Sequence, residues 1–215
     1  DTEDGTSVKR LRVYAWRGGV ENFGDELGPV VLRRLGHDVE RVEHIHEADL
    51  LAAGSLLENA AENAKDGTVI WGSGLLYGEA VDLSRLDVRA VRGRLTARAA
   101  GLDVATGDPG SLVGMLWKRP PVRRSVGVLR HYADDREYPW ADCVMDADSP
   151  VESVIDFIGS CERLASSSLH GVIVAASWGI PAVRLHHEAV AGGDFKWADW
   201  LSGAGDPENL LAALE

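Results

Sequence analysis

CERLASSSLHGVIVAASWGIPAVRL, residues 161–185, decides how the rest of the chain is read. It runs from a strand, CERLASSS, through a polar turn into the helix LHGVIVAASWG, then through Ile180-Pro181 into the strand IPAVRL. Leu169, Val172, Ile173 and Ala176 fall on one helical face, the spacing of a helix laid against a sheet. A strand, a crossover helix and a second strand imply parallel pairing. The same alternation extends in both directions. Upstream come SVGVLRHY, DCVMDA and the helix PVESVIDFIGS; nearer the start come LRVYAW (11–16), the helix DELGPVVLRRLG (25–36) and VERVEHI (39–45). The continuous apolar runs ADLLAAGSLL (48–57) and TVIWGSGLL (68–76) suit buried parallel strands, and DVRAVRGRLTARAAG (87–101) suits a strand turning into a helix. The proline-rich basic segment WKRPPVRR (117–124) interrupts the pattern and reads as a linker. The expected fold is therefore α/β: two small Rossmann-like lobes with parallel sheets and a cleft between them. Residues 1–118 form the N-terminal lobe, 119–194 the C-terminal lobe and 195–215 the closing helices, with ligand loops at the carboxyl ends of the strands.

Composition narrows the function. The chain has 215 residues, 45% of them hydrophobic, and a formal net charge of −12. That charge argues against nucleic acid or a membrane surface as partner. No apolar run is long enough for membrane insertion and no leader pattern is visible, so the default expectation is a cytoplasmic protein. The first seven residues, DTEDGTS, read as an acidic tail. Ten of the 22 basic residues lie between Arg89 and Arg136, which suggests either a cleft that draws in a small anion or ordinary solvated helix positions. Cys143 and Cys161 make no CxxC pair, and the histidines of His44-Ile45-His46 and His186-His187 lack further ligands at metal-binding spacing, so no metal site is expected.

Four stretches carry candidate chemistry. In SSSLHG, one of Ser166, Ser167 and Ser168 can cap the helix. Its first turn would offer free N–H groups and a positive dipole to a phosphate or carboxylate, with Gly171 permitting close approach. The same dipole favours a neutral His170 able to accept a proton. The pattern serves a plain capped helix start equally well. In WRGGVENFGDELG (16–28), a glycine-flexed loop with Asn22, Gly24 and Asp25 can cradle a phosphate or sugar hydroxyl, or Asp25 can simply cap the helix; no nucleotide fingerprint is present. GSLLEN and WGSG (Gly72, Ser73, Gly74) are turns at strand ends, and Arg92 and Arg94 flank a glycine as a possible anion clamp. LRHYAD places Arg130, His131 and Tyr132 just after a strand.

In this order, NFGDELG, WGSG, VRGRLTARAAG, TGDPG, LRHY, SSSLHGVIVAASWGIP and FKWADW resemble the polysaccharide pyruvyl transferase family, in its bacterial exopolysaccharide branch. The resemblance implies a two-lobed fold similar to type B glycosyltransferases. It also implies transfer of pyruvate from phosphoenolpyruvate, the co-substrate, onto two hydroxyls of a sugar or glycan acceptor, with no other cofactor. By the same resemblance His170 is the acid/base group and Asp25 orients or deprotonates an acceptor hydroxyl. Arg92, Arg94 and Arg130 would hold the donor anion, and Trp71, Tyr132, Trp197 and Trp200 are stacking surfaces for sugar, although Trp197 and Trp200 also suit plain packing. Ser168 stands where many members carry arginine, which leaves one donor contact unassigned. A nucleotide-sugar glycosyltransferase and a non-catalytic sugar- or anion-binding relative are the alternatives.

Overall fold

A computed structural model describes residues 10–17, 19, 21–203 and 207–214, so the acidic stretch 1–7 and Gly18 of the first glycine loop lie outside the described residues. The first lobe carries strands β1 (Leu11–Tyr14), β2 (Val39–Val42), β3 (Leu50–Leu51), β4 (Val69–Trp71), β5 (Asp87–Val91) and β6 (Ala105–Thr106). They form one parallel sheet in the order β2-β1-β3-β4-β5-β6, with helices α1 (Phe23–Arg34), α2 (Leu57–Asn63), α3 (Arg94–Ala99) and α4 (Val113–Leu116) between and after them. The second lobe is a parallel sheet of four strands, β7 (Arg124–Arg130), β8 (Cys143–Asp146), β9 (Cys161–Ser166) and β10 (Ala182–Arg184), in the order β10-β9-β7-β8. Its helices are α5 (Val151–Gly159) and α6 (Leu169–Ser177); α7 (Phe195–Gly203) and α8 (Pro207–Ala212) close the chain. The α/β fold with two parallel lobes is thus present.

Each sheet has one strand from which the winding reverses. In the first it is β1, flanked by β2 and β3; in the second it is β7, flanked by β8 and β9. Loops leaving such neighbouring strands diverge to opposite faces and open a crevice at the carboxyl edge. Several strands are shorter than their apolar runs. The run 48–57 contributes only Leu50–Leu51 to the sheet, because its remaining residues turn into the crevice at Gly54 and then start α2. VERVEHI likewise stops at Val42, ahead of a 3-10 turn at Ile45–Glu47.

Helix α6 lies between the lobes. One face, Leu169, Val172 and Ile173, packs on Trp197 and Trp200 of α7, while Val174 and Ala175 join the main core with α5 and the sheets. The sequence pattern predicts a single apolar face; in the fold the other lobe takes the place that solvent would occupy. The first helix is stitched to the second lobe as well, since the Phe23 N–H donates to the Ala147 carbonyl at 2.8 Å. The basic segment 117–124 does not hang free. Arg119 donates to the carbonyls of Gly159 and Cys161, and Arg123 and Arg124 engage Asp156 and Ser160.

The closing helices return to the first lobe. The Trp71 indole N–H, fully buried, donates to the Leu210 carbonyl of α8 at 2.7 Å, which makes Trp71 core rather than a sugar platform. On α7, Asp199 accepts from the Thr96 N–H and hydroxyl at 2.7 Å each, and from Arg92 Nε at 2.9 Å. Both members of the Arg92–Asp199 pair are fully buried. Truncating one partner leaves an uncompensated buried charge, so Asp199→Ala should cost about 3–5 kcal/mol, read as a lower urea midpoint at constant slope.

Candidate functional site

A cavity of about 400 Å³ opens where the two reversal points face one another, a size typical of small-molecule sites. The first lobe lines it with Trp16, Asn22 and Asp25 after β1, Gly54 and Ser55 after β3, and Glu58 and Asn59 of α2; the second contributes His131 and Tyr132 after β7 and Ser168, Leu169 and His170 after β9. Lys196 of α7 completes the wall.

The start of α1 shapes one side. Asn22 caps the helix by accepting the Gly24 N–H at 3.1 Å, and its amide donates to Asp25 Oδ2 at 2.6 Å. So Asn22, not Asp25, is the cap, and Asp25 is left to face the cavity. Two glycines make room for this arrangement. A Cβ on Gly24 would collide with the His170 imidazole around Nδ1, and a Cβ on Gly54, whose φ is +102°, would strike Asp25 Oδ1. Burial pushes the Asp25 carboxyl up to about 7 against the opposing pull of His170 and Lys196.

On the opposite side, Ser168 is the N-cap residue of α6 but makes no side-chain cap bond. The hydroxyls beside it are engaged elsewhere. Ser166 Oγ donates to the Leu129 carbonyl and accepts the Ser168 N–H, while Ser167 Oγ accepts the His131 N–H. The Ser168 side chain therefore caps none of the first-turn N–H groups of α6, and Ser168, Leu169 and His170 at that helix start all line the cavity. Gly171 lets the helix pack tightly onto Leu129 and Ser166 and does not line the cavity.

His170 is 8% exposed and Asp108 1%. Nε2 of His170 and Oδ2 of Asp108 face each other at 3.2 Å, out of line for a good hydrogen bond, and neither has another partner among the described residues. The second Asp108 oxygen accepts the Gly110 N–H at 2.8 Å, which fixes the carboxylate at the first-lobe turn after β6. A carboxylate from one lobe thus stands behind a histidine from the other. Buried polar atoms left unpaired in this way call for an explanation, and a catalytic role is one that fits a histidine facing a carboxylate. His131 is held neutral: burial, then the Lys196 charge, brings it down to about 4, and its Nδ1 accepts the Ala133 N–H.

The expected arginines are elsewhere. Arg92 lies under the cavity floor with all three guanidinium nitrogens engaged, by Asp199, by Ser55 Oγ and by the Leu75 carbonyl. Arg94 is exposed at the start of α3, and Arg130 pairs with Asp146 at 2.6 Å. None of the three lines the cavity. The basic middle of the chain is largely tied up locally, in pairs such as Arg89–Asp87, Arg123–Asp156 and Arg136–Asp134. The WGSG turn also sits behind the wall. Gly72 packs on Pro109, Ser73 Oγ donates to the Gly54 carbonyl, and Gly74 abuts the Arg92 guanidinium. Of the aromatic candidates only Tyr132 reaches the mouth, where it stacks with Trp16 at 6.3 Å and His131 at 4.1 Å. Trp197 and Trp200 are buried against α6, the packing alternative. Among the described residues, Asp134, Asp135 and His187 bring three potential metal-ligand atoms within 4.8 Å of one another. Asp134 already accepts from Arg136 and Tyr138 there.

Sequence reading missed Asp108, Lys196 and Trp16. Asp108 stood in plain view within TGDPG, where an Asp before Pro reads only as a turn cap; its second oxygen acquires a role through the other lobe. Lys196 had a faint signal, a lone lysine between Phe195 and Trp197.

No family model matches the chain. It is 29% identical over 211 residues to the succinoglycan biosynthesis protein ExoV of Rhizobium meliloti, covering 91% of this chain and 65% of that protein. It is 32% identical over 162 residues to an uncharacterized protein of Acanthamoeba polyphaga mimivirus, covering 66% of this chain and 56% of the other. A crystal structure of a functionally uncharacterized Klebsiella pneumoniae protein matches with a TM-score of 0.49 at 14% identity, covering 83% of this chain and 84% of that one. The chain spans less than two thirds of the length of either curated relative. No helix among the described residues is long and apolar enough to cross a membrane.

The raised Asp25 carboxyl has a stability signature. The folded state holds this proton more tightly than the unfolded chain, so ionising Asp25 costs stability progressively from about pH 4 to pH 7, and in full above that. Asp25→Asn should therefore raise the melting temperature at pH 8 and lose that advantage near pH 4, as followed by thermal scans across the range.

Proposed function

We propose that the cavity transfers pyruvate from phosphoenolpyruvate onto two hydroxyls of one sugar in a polysaccharide or its precursor, giving a cyclic ketal and phosphate. The observation that carries this reading is the His170–Asp108 couple at the uncapped mouth of α6, in a cavity shared with a carboxyl raised to about 7. Likeness to a succinoglycan biosynthesis protein supports the substrate class.

The chemistry sets three demands. The donor's methylene carbon must gain a proton, two sugar hydroxyls must each form a bond to the central carbon and lose a proton, and the bond from that carbon to the phosphate oxygen must break. One hydroxyl proton replaces the proton delivered to the methyl group; the other leaves with phosphate. His170, backed by Asp108, is the group that delivers and recovers a proton, since the carboxylate stabilises the imidazolium that forms. Asp25, near 7, is poised to accept a hydroxyl proton at neutral pH. Charge collecting on the departing phosphate is met by the α6 N-terminus. At the mouth, exposed Tyr77 and Tyr132 together with half-buried Trp16 offer an apolar rim on which a sugar ring can lie.

The decisive experiment incubates the protein with phosphoenolpyruvate and a panel of glycans, reading released phosphate together with pyruvylated product by mass spectrometry. Nucleotide sugars form the rival arm, and turnover of those alone would replace the reading. His170→Gln should lower turnover by about 100-fold or more with the circular dichroism spectrum unchanged. Tyr132→Ala should raise the acceptor KM several-fold while leaving the donor KM in place.

A further inference from the structure

The cavity contains one lysine and no arginine among the described residues that line it. Lys196 is 8% exposed, and its ammonium has no hydrogen-bond partner among the described residues. A buried cation is costly unless something pairs with it, and Asp25, the carboxyl whose charge favours the ammonium, is itself pushed up to about 7 and is only partly ionised at neutral pH. The position of Lys196 is not accidental to the fold. Asp199, one turn further along α7, is locked to Arg92 and Thr96 of the first lobe. Trp197 and Trp200 are packed on α6 of the second. Both anchors aim the intervening turn at the crevice.

We propose that Lys196 holds the anionic end of the donor, the ammonium and the free N–H groups of α6 gripping it from two sides. This rests on the pyruvyl-transfer reading for the identity of the anion, phosphoenolpyruvate, and on the geometry alone for the presence of a small multiply charged anion. It also answers the Ser168 question. The short hydroxyl leaves the space beside the helix mouth open, and the cation comes from α7 instead. Arg92 acts at one remove as a positioning residue, since its grip on Asp199 sets where Lys196 stands. Burial brings Lys196 down to about 8, with Arg92 and then Arg184 pushing the same way as burial and Asp25 opposing. The ammonium is thus charged at neutral pH at some expense to the fold, as expected of a group placed for a ligand.

The test compares Lys196→Met with wild type and with Arg94→Met, an arginine outside the cavity, by calorimetric titration with phosphoenolpyruvate and separately with inorganic phosphate at pH 7. Lys196→Met should weaken binding about 10- to 100-fold, whereas Arg94→Met should bind as wild type does. Lys196→Met should also melt higher than wild type in the absence of anion, because it removes a cation that the folded state disfavours below its ordinary range; a merely structural lysine would melt lower. Unchanged affinity in Lys196→Met overturns the assignment while leaving pyruvyl transfer standing. Phosphate binding that depends on Lys196, with none of phosphoenolpyruvate, sinks pyruvyl transfer and keeps the anion site. A wild-type protein that binds neither overturns both.

Discussion

The buried pair of Arg92 and Asp199 is the constraint on which the rest of the structure depends. Its five polar contacts are the two between Asp199 and Thr96, the ion pair itself, and the bonds from Arg92 to Ser55 and the Leu75 carbonyl. They join four separate segments: the floor of the cavity, the loop after β4, the start of α3, and α7. A fully desolvated ion pair contributes little net stability compared with a well-packed apolar replacement. What it supplies here is position. With α7 fixed to the first lobe, its tryptophans can hold α6 of the second, so the crevice has a defined width and chemistry from both sides meets across it.

That meeting makes the electrostatics of the cavity unusual for its contents. Asp25 and His131 are both pressed toward neutrality by burial, and Asp108 and His170 come from opposite lobes to face each other at 3.2 Å. A protein of net charge −12 presents here a crevice in which fixed charge is kept scarce. A carboxyl near 7, together with backbone N–H dipoles, suits the proposed transfer, in which protons move and a leaving anion gathers charge.

How much was legible beforehand divides along physical lines. The strand-helix alternation, the parallel lobes and the C-terminal end of α1, with Arg33 and Arg34 in its last turn and Gly36 beyond, follow from local rules of periodicity and capping. His131 and Tyr132 stand out because they sit just past a strand, where parallel folds place their ligands; Asp25 and His170 stand out as helix-start residues, and the family resemblance supplies the roles expected of them. Arg92 was misread because a sequence shows which side chains can grip an anion but not that Asp199, 107 residues away, already does so. Asp108 was passed over for the converse reason: one of its oxygens fulfils the local role that its neighbours suggested, and only the three-dimensional path brings His170 to the other. Trp71 and the buried half of α6 erred alike, since the burial of a face depends on what the other lobe sets against it.

The return of α7 and α8 to the lobe where the chain began has an evolutionary consequence. The two lobes look like modules, each with its own sheet, its own reversal point and a proline-rich segment between them. Yet a single recombination at that segment would deliver a second lobe together with a foreign α7, whose aspartate would have to find another lineage's arginine and whose lysine would have to fit another lineage's floor. Exchange that preserves the site needs two crossovers, one on each side of the second lobe. Such a crevice is therefore expected to be inherited as a whole, with variety entering through the rim aromatics rather than by swapping halves.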